Sequence, residues 1–376
     1  MMAKKITSSL ELKQKNRSHI FQLLYRKPSL TRQDIVTQLQ LSLPTVTQNL
    51  EDLQSEGLIM EDGSKGHTGG RRARTYALVA DARTAIGLDI TKGGITAVAV
   101  DLLGNIIAKI HKTVPFSRTD AYYRGLGDII DSIIRQGELD RERILGVGIG
   151  VPGLITPDHQ NVFYGEILQF TGATCQEFSG FIPFHTELYN DANAAGFAES
   201  WVRPDLRNAF YLMLSNNVGG AIYINNQQYN GENTRSGEVG HIQIVPNGKP
   251  CYCGQRGCVD AYCAATVLSS VTDGDLNRFF SLLEKNDTET CAVWAEYLQH
   301  LSTTVANVRM LLDCNIILGG YVGEYIDPYL EDLKALTAKL SGFETTADYL
   351  LPCRYKKEAI AAGAALNYIA KFVKSI

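Results

Sequence analysis

His241 is followed ten residues later by Cys251, and then by Cys253 and Cys258. One imidazole and three thiols within eighteen residues make a complete tetrahedral set for Zn²⁺, with no position left for water. A closed set of this kind ties a loop down and does not activate a nucleophile. Gly254 and Gly257 let that loop turn tightly enough to bring the sulfurs together. Reduced core cysteines are the plainer reading, and the clustering disfavours it. The chain has eight cysteines, three of them in this cluster, which suits a reducing cytoplasm better than a disulfide scaffold.

At 376 residues there is room for two or three domains. No apolar run follows the N-terminal Met1-Met-Ala-Lys-Lys5, so no signal peptide is expected, and no stretch approaches the ~20 apolar residues of a membrane helix. The net charge of −4 conceals an asymmetry. Residues 1–80 hold twelve Lys and Arg against seven Asp and Glu, whereas the remainder holds 24 against 33. A basic head on an acidic body points to nucleic acid at one end only.

The head reads as three helices. Ile20, Leu23 and Leu24 form an apolar stripe on the first, which Lys27-Pro28 ends. Thr31 caps the second, with Ile35, Val36 and Leu39 inward; Ser42 caps the third, whose Val46, Leu50 and Leu53 recur at helical spacing until Gly57. That is helix-turn-helix spacing, and the third helix is expected to enter a major groove. Ser42, Pro44, Thr45, Gln48 and Asn49 are its expected outward, DNA-facing residues. Two short apolar strands then flank a glycine-rich tip carrying Arg71, Arg72 and Arg74, which reads as a basic β-wing suited to phosphates or a narrow minor groove. A bare helical bundle and a solvated basic loop are the plainer readings of each alone; side by side they point to DNA.

From Thr84 the pattern changes to strands. Strand, turn, strand, turn runs from Ala85 to His111, and the plan recurs from Phe210 to Asn226, with Asn216–Gly220 as its first turn. Two copies, each followed by helical segments, indicate a duplicated two-lobed α/β fold with a cleft. The helix of small residues at Ala359–Leu366 is expected to pack closely on the first lobe.

Gly237-Glu-Val-Gly-His241 followed by Cys251-Tyr-Cys-Gly-Gln-Arg-Gly-Cys258 resembles the signature of the ROK family of sugar-responsive repressors, open reading frames and sugar kinases. The likeness runs from about Asn16 to the C-terminal helix. It implies a winged helix-turn-helix over 1–80, then a two-lobed actin-like, ribonuclease-H-like ATPase fold. Its first lobe would span 84–189 with helix 359–376 packed back on it, and its second lobe 190–358 with the zinc loop. By the same resemblance Asn190, Asp191, Glu238 and His241 are sugar contacts. Asp191 would be the catalytic base only in a kinase. Asp260 stands where the family usually has Glu and would be a fifth sugar contact, one methylene shorter in reach.

Phosphoryl transfer needs Gly- and Thr-rich loops around the nucleotide. The family's kinases carry Asp-x-Gly-Gly-Thr-Lys; this chain has Asp89-Ile-Thr-Lys-Gly-Gly94. Where the kinases have Gly-Thr-Gly, it has Ser215-Asn216-Asn217. Leu318-Gly319-Gly320 is intact and is explicable by packing alone. ATP and Mg²⁺ are therefore not expected. The first reading is a sugar-responsive repressor that binds operator DNA and a monosaccharide or sugar phosphate, as a homodimer or tetramer. An ATP-dependent sugar kinase with an accessory DNA-binding head is the alternative.

Overall fold

The computed structural model describes residues 9–65 and 73–376. Arg71 and Arg72 of the expected wing tip lie outside the described residues.

In the head, α1 (Ser9–Arg26), α2 (Arg32–Leu39) and α3 (Leu43–Ser55) pack with a small sheet. β1 (Leu30–Thr31), β2 (Ile59–Lys65) and β3 (Ala73–Leu78) lie in the order β1-β3-β2, and β2 and β3 form the antiparallel wing. Thr31 closes a reciprocal capping box with Asp34, satisfying two backbone N–H groups that the helix start would leave free. Gln40 takes the left-handed conformation between α2 and α3, and Ser42 accepts the Thr45 N–H to start the recognition helix.

The first lobe contains β4 (Thr84–Ile90), β5 (Ile95–Asp101), β6 (Ile106–Lys112), α4 (Asp120–Gln136), β7 (Ile144–Val151), β8 (Leu154–Ile155), β9 (Val162–Tyr164), α5 (Cys175–Ser179) and β10 (Thr186–Asn190). The remaining elements are α6 (Asp191–Val202), β11 (Ala209–Leu214), β12 (Val218–Ile224), β13 (Gln227–Tyr229), α7 (Asp260–Cys263), α8 (Ala265–Ser269), α9 (Leu276–Leu283), α10 (Thr288–Leu312), β14 (Asn315–Gly319), α11 (Gly320–Gly323), α12 (Leu330–Ala338), β15 (Leu350–Pro352) and α13 (Ala359–Ser375).

The two large sheets run β10-β7-β4-β5-β6 and β13-β12-β11-β14-β15. Number the strands of each sheet from one, and both have the order 3-2-1-4-5. The first three strands are antiparallel, and the fourth and fifth run parallel to the first. The expected duplication is therefore present at the level of topology. One boundary differs from expectation. Val218, Gly219 and Gly220 are ladder residues of β12, paired with Leu214, Met213 and Leu212, so the turn is only Ser215–Asn217. The glycines there reflect a close crossing: a Cβ on Gly220 would lie 2.3 Å from the Phe210 ring and 2.8 Å from the Gly237 carbonyl oxygen.

Helix α13 packs against β4, β7 and α6. Backbone meets backbone there. A Cβ on Gly87 would lie 1.8 Å from the Ala361 carbonyl oxygen, and one on Gly363 would lie 1.7 Å from that of Ala194. The head joins the same core instead of hanging on a linker. Ile20, Phe21 and Leu24 of α1 are buried in one cluster with Leu102, Leu366 and Ile369. Each such side chain contributes about 1.5–3 kcal/mol on burial. Phe21 meets Phe372 edge-on at 6.5 Å, and Tyr25 meets Trp201 at 5.7 Å while donating to the Leu102 carbonyl.

Candidate functional site

The loop after Glu238 folds back on itself through single bridges pairing Gln243 with Cys258 and Pro250 with Arg256. Gly257 has φ +79°, and a Cβ there would sit 1.8 Å from the Val245 carbonyl oxygen, so only glycine closes this turn. Closure brings one ligand atom each from His241, Cys251, Cys253 and Cys258 within 4.8 Å of one another. Cys253 and Cys258 sulfurs are 3.8 Å apart, and Cys251 Sγ is 3.9 Å from His241 Nδ1. Such spacings suit thiolates lying about 2.3 Å from a shared tetrahedral ion. The four residues form a cluster that could hold a metal ion, and its donors fit zinc.

His241 Nδ1 belongs to that cluster, and its Nε2 lies 3.2 Å from the Tyr252 hydroxyl in a small chamber between the lobes. Asn190, Asp191 and Glu238 line the same chamber, which has 60 Å³ of free volume. The end of β10 and the start of α6 place the first pair. Asn190 caps α6 by accepting the Asn193 N–H at 3.0 Å, and its Nδ2 donates to the Gly153 carbonyl at 3.1 Å. Asp191 accepts the Ala192 N–H at 2.8 Å.

Asp260 does not join them. It is buried and is not among the residues lining the chamber, and its Oδ2 accepts the Val218 N–H at 2.7 Å. That oxygen holds the start of β12, and a sugar contact by Asp260 stays an expectation of the resemblance. Tyr252 and Glu166, which line the chamber, were not singled out from the sequence. For Tyr252 the signal was present: it lies between two metal ligands in a loop that also presents His241. Nothing local marked Glu166.

Burial and mutual repulsion disturb the acids. Burial, with Glu238 nearby and the Ala192 N–H opposing, raises Asp191 to about 7. Burial and then the Asp191 charge raise Asp89 to about 8. Burial also raises Glu238, with His241 opposing.

A 430 Å³ chamber adjoins the first, sharing Asp191, Tyr252 and Glu166 with it and lined also by Asp89, Thr91 and Asn216. These belong to the two loops that would face nucleotide phosphates in a kinase. Thr91 Oγ1 donates to the Gly94 carbonyl and accepts its N–H, so the first loop closes on itself. A Cβ on Gly319 would lie 2.1 Å from the Tyr211 hydroxyl oxygen, and one on Gly320 would lie 2.7 Å from Leu214 backbone atoms. Packing alone therefore requires both glycines.

In the head, Ser42, Pro44 and Gln48 are exposed on α3, and Thr45 is half-buried beside them. Gln48 Nε2 donates to Asp52 at 2.9 Å. Asn49 is corrected: it is buried, and its Nδ2 donates to the Thr45 carbonyl at 2.7 Å. It lies three residues from Val46 and four from Leu53, on the inner face, and cannot reach a base edge. Arg74 is exposed on β3 and pairs with Glu61 of β2 at 2.6 Å.

Residues 85–371 match the ROK family, and residues 14–60 match a winged helix-turn-helix DNA-binding family. A putative xylose repressor of Caldicellulosiruptor sp. (strain Rt8B.4) is 24% identical over 355 residues, 87% of this chain and 88% of the relative. The DNA-binding transcriptional dual regulator NagC of Escherichia coli (strain K12) is 26% identical over 340 residues, 83% of this chain and 82% of its own. Among solved structures, a ROK family transcriptional regulator described as a homologue of the E. coli MLC protein superposes with a TM-score of 0.75 at 20% identity, covering 97% of both chains. A ROK glucokinase from Streptomyces griseus, solved with glucose and AMPPNP, gives 0.62 at 22% identity over 76% of this chain and 98% of its own. At these identities the superpositions establish the fold.

Proposed function

The chain belongs to the ROK family and carries a winged helix-turn-helix at its head, and on that premise we propose that it is a transcriptional repressor that reads a sugar between its lobes. One observation carries the reading: the recognition-helix head and the helices flanking the interlobe chamber share a single hydrophobic core. Asn190, Asp191, Glu238 and His241 supply amide, carboxylate and imidazole groups to neighbouring sugar hydroxyls. Zn²⁺ on His241, Cys251, Cys253 and Cys258 would be structural, orienting His241 so that its second ring nitrogen serves the ligand. Ser42, Pro44, Thr45 and Gln48, with the wing arginines, would meet operator DNA.

A sugar held by both lobes favours whichever interlobe angle it fits better, and it shifts the population only by that difference in affinity. In a homodimer or tetramer, a change of angle alters the spacing of two heads, and half-sites on DNA demand a fixed spacing. Turnover of ATP is the less supported activity. Side chains stand where close phosphate approach requires glycine, and packing accounts for the glycines that remain.

The test is a thermal-shift panel of the zinc-loaded protein against monosaccharides and sugar phosphates, with and without Mg-ATP. At about 100 times its Kd a ligand adds ~2.7 kcal/mol. One sugar is expected to raise the midpoint, with no further rise from Mg-ATP, and to change operator affinity in a gel-shift assay. A rise with Mg-ATP together with sugar-dependent ATP turnover would establish the kinase instead.

A further inference from the structure

Beside the sugar chamber lies a second interlobe cavity of 260 Å³, sharing Asn190 and Leu154 with it. We infer that this cavity is a subsite for a further glycosyl unit, so that the effector is a di- or oligosaccharide whose terminal ring occupies the chamber of Asn190, Asp191, Glu238 and His241. The inference rests on the sugar-binding reading above and names its ligand more closely.

Among the described residues, no Asp, Glu, Lys or Arg side chain lines this cavity. A phosphate or nucleotide would be expected to find a cation there. The walls are mixed: Leu154, Ile155 and Pro157 offer apolar surface to a ring's C–H face. The amides of Asn193, Gln228, Asn230 and Asn367, with the rings of His159 and Tyr189, offer polar groups to its hydroxyls. An amide both donates and accepts, as does every sugar hydroxyl. Only part of this capacity is spent within the protein. Gln228 Nε2 donates to Asn230 Oδ1 at 2.7 Å, and Asn367 Nδ2 donates to the Gly363 carbonyl at 2.8 Å. Those bonds leave the Gln228 and Asn367 oxygens and the Asn230 Nδ2 for a ligand.

The two rings lie 4.7 Å apart, and His159 Nδ1 is 2.9 Å from the Leu188 carbonyl oxygen. Nδ1 therefore carries the hydrogen, and Nε2 is left as an acceptor. His159 and Tyr189 belong to the first lobe, whereas Gln228 and Asn230 lie on and beside the edge strand of the second sheet. A ring in this cavity would therefore bridge the lobes, adding to the interlobe bias that the first ring exerts.

Isothermal titration of the full-length, zinc-loaded protein tests this. The ligands are xylose, glucose and N-acetylglucosamine, each with its 1,3-, 1,4- and 1,6-linked homodisaccharides of both anomers where the ring permits. The best disaccharide is expected to bind at least tenfold more tightly than its own monosaccharide. The double variant Gln228→Ala, Asn230→Ala should lose that gain and keep the monosaccharide Kd within twofold. Asn230 is exposed and Gln228 half-buried, so the fold should survive, and an unchanged melting midpoint would verify it. A monosaccharide that binds as tightly as every disaccharide would overturn the subsite while leaving the sugar sensor standing. Equal losses for both ligand lengths in the double variant would also overturn it. If neither length binds, the sugar reading falls and takes the subsite with it.

Discussion

Asp89 and Asp191 line one interlobe chamber with carboxyls raised to about 8 and about 7, first by burial. A raised carboxyl means that the folded state holds a proton that the unfolded state has released, so stability falls as pH rises between the unfolded value near 4 and the folded value. Asp89→Asn removes one such group. Its melting midpoint should therefore exceed that of the parent by more at pH 8 than at pH 6. Both proteins carry the same metal loop, so the comparison cancels the loop's own pH dependence. A difference that is constant with pH would mean that Asp89 is ionised in the folded protein. At this scale the sequence was legible wherever the interaction is local. Thr31 caps its helix as read, and Asp34 three residues on completes the box. Asn49 departs from its expected outward placement because a polar side chain advertises its chemistry and not its direction, and helix packing turns it inward. The bond from Val218 to Asp260 was likewise illegible, since the approach of β12 brings the two together.

Among the elements, the metal loop and α13 show two kinds of legibility. Four ligands at tight spacing announce the loop before any fold is known, and the structure closes them within 4.8 Å. The use of His241 by two neighbours follows from that closure, because one ring nitrogen faces sulfur and the other faces the chamber. Cys258→Ser, or removal of metal by a chelator, is predicted to lower sugar affinity as the ring loses its orientation. Titration of the metal-free protein with the sugar found in the thermal-shift panel measures this. Unchanged affinity would separate the loop from the site. In α13 the small residues were readable as a close-packing helix. Which carbonyls they approach was not, since Gly87 and Ala361 are brought together only by the fold.

Across the whole molecule, the head and the cleft meet through α6. It begins at the chamber-lining Asp191 and its cap Asn190; near its far end is Trp201, against Tyr25 of the head. Twelve residues of helix span about 18 Å as one rigid body. A Cβ on Gly104 would lie 2.5 Å from the Trp201 indole nitrogen, so this joint is tight on the body side as well. Trp201→Ala should leave the sugar Kd within twofold and diminish the change that sugar makes in operator affinity, measured by gel shift with and without ligand. An undiminished response would place the coupling elsewhere, for example in the contact between Phe21 and Phe372.

The order of elements, the helix starts, the duplicated strand plan and the metal loop were determined by the sequence, because each depends on residues within a few turns of chain. The same holds for the Asn190-Asp191 pair, whose resemblance rests on two neighbouring residues. Tertiary structure alone decided which polar side chains face the cleft, that the head shares the body's core, and that a second cavity of mixed amide and apolar lining opens beside the chamber of Asn190 and Asp191. Those features join residues far apart along the chain, such as Asn193 with Asn230 or Tyr25 with Trp201. Their meeting depends on how two sheets and a shared helix pack, which no local spacing encodes.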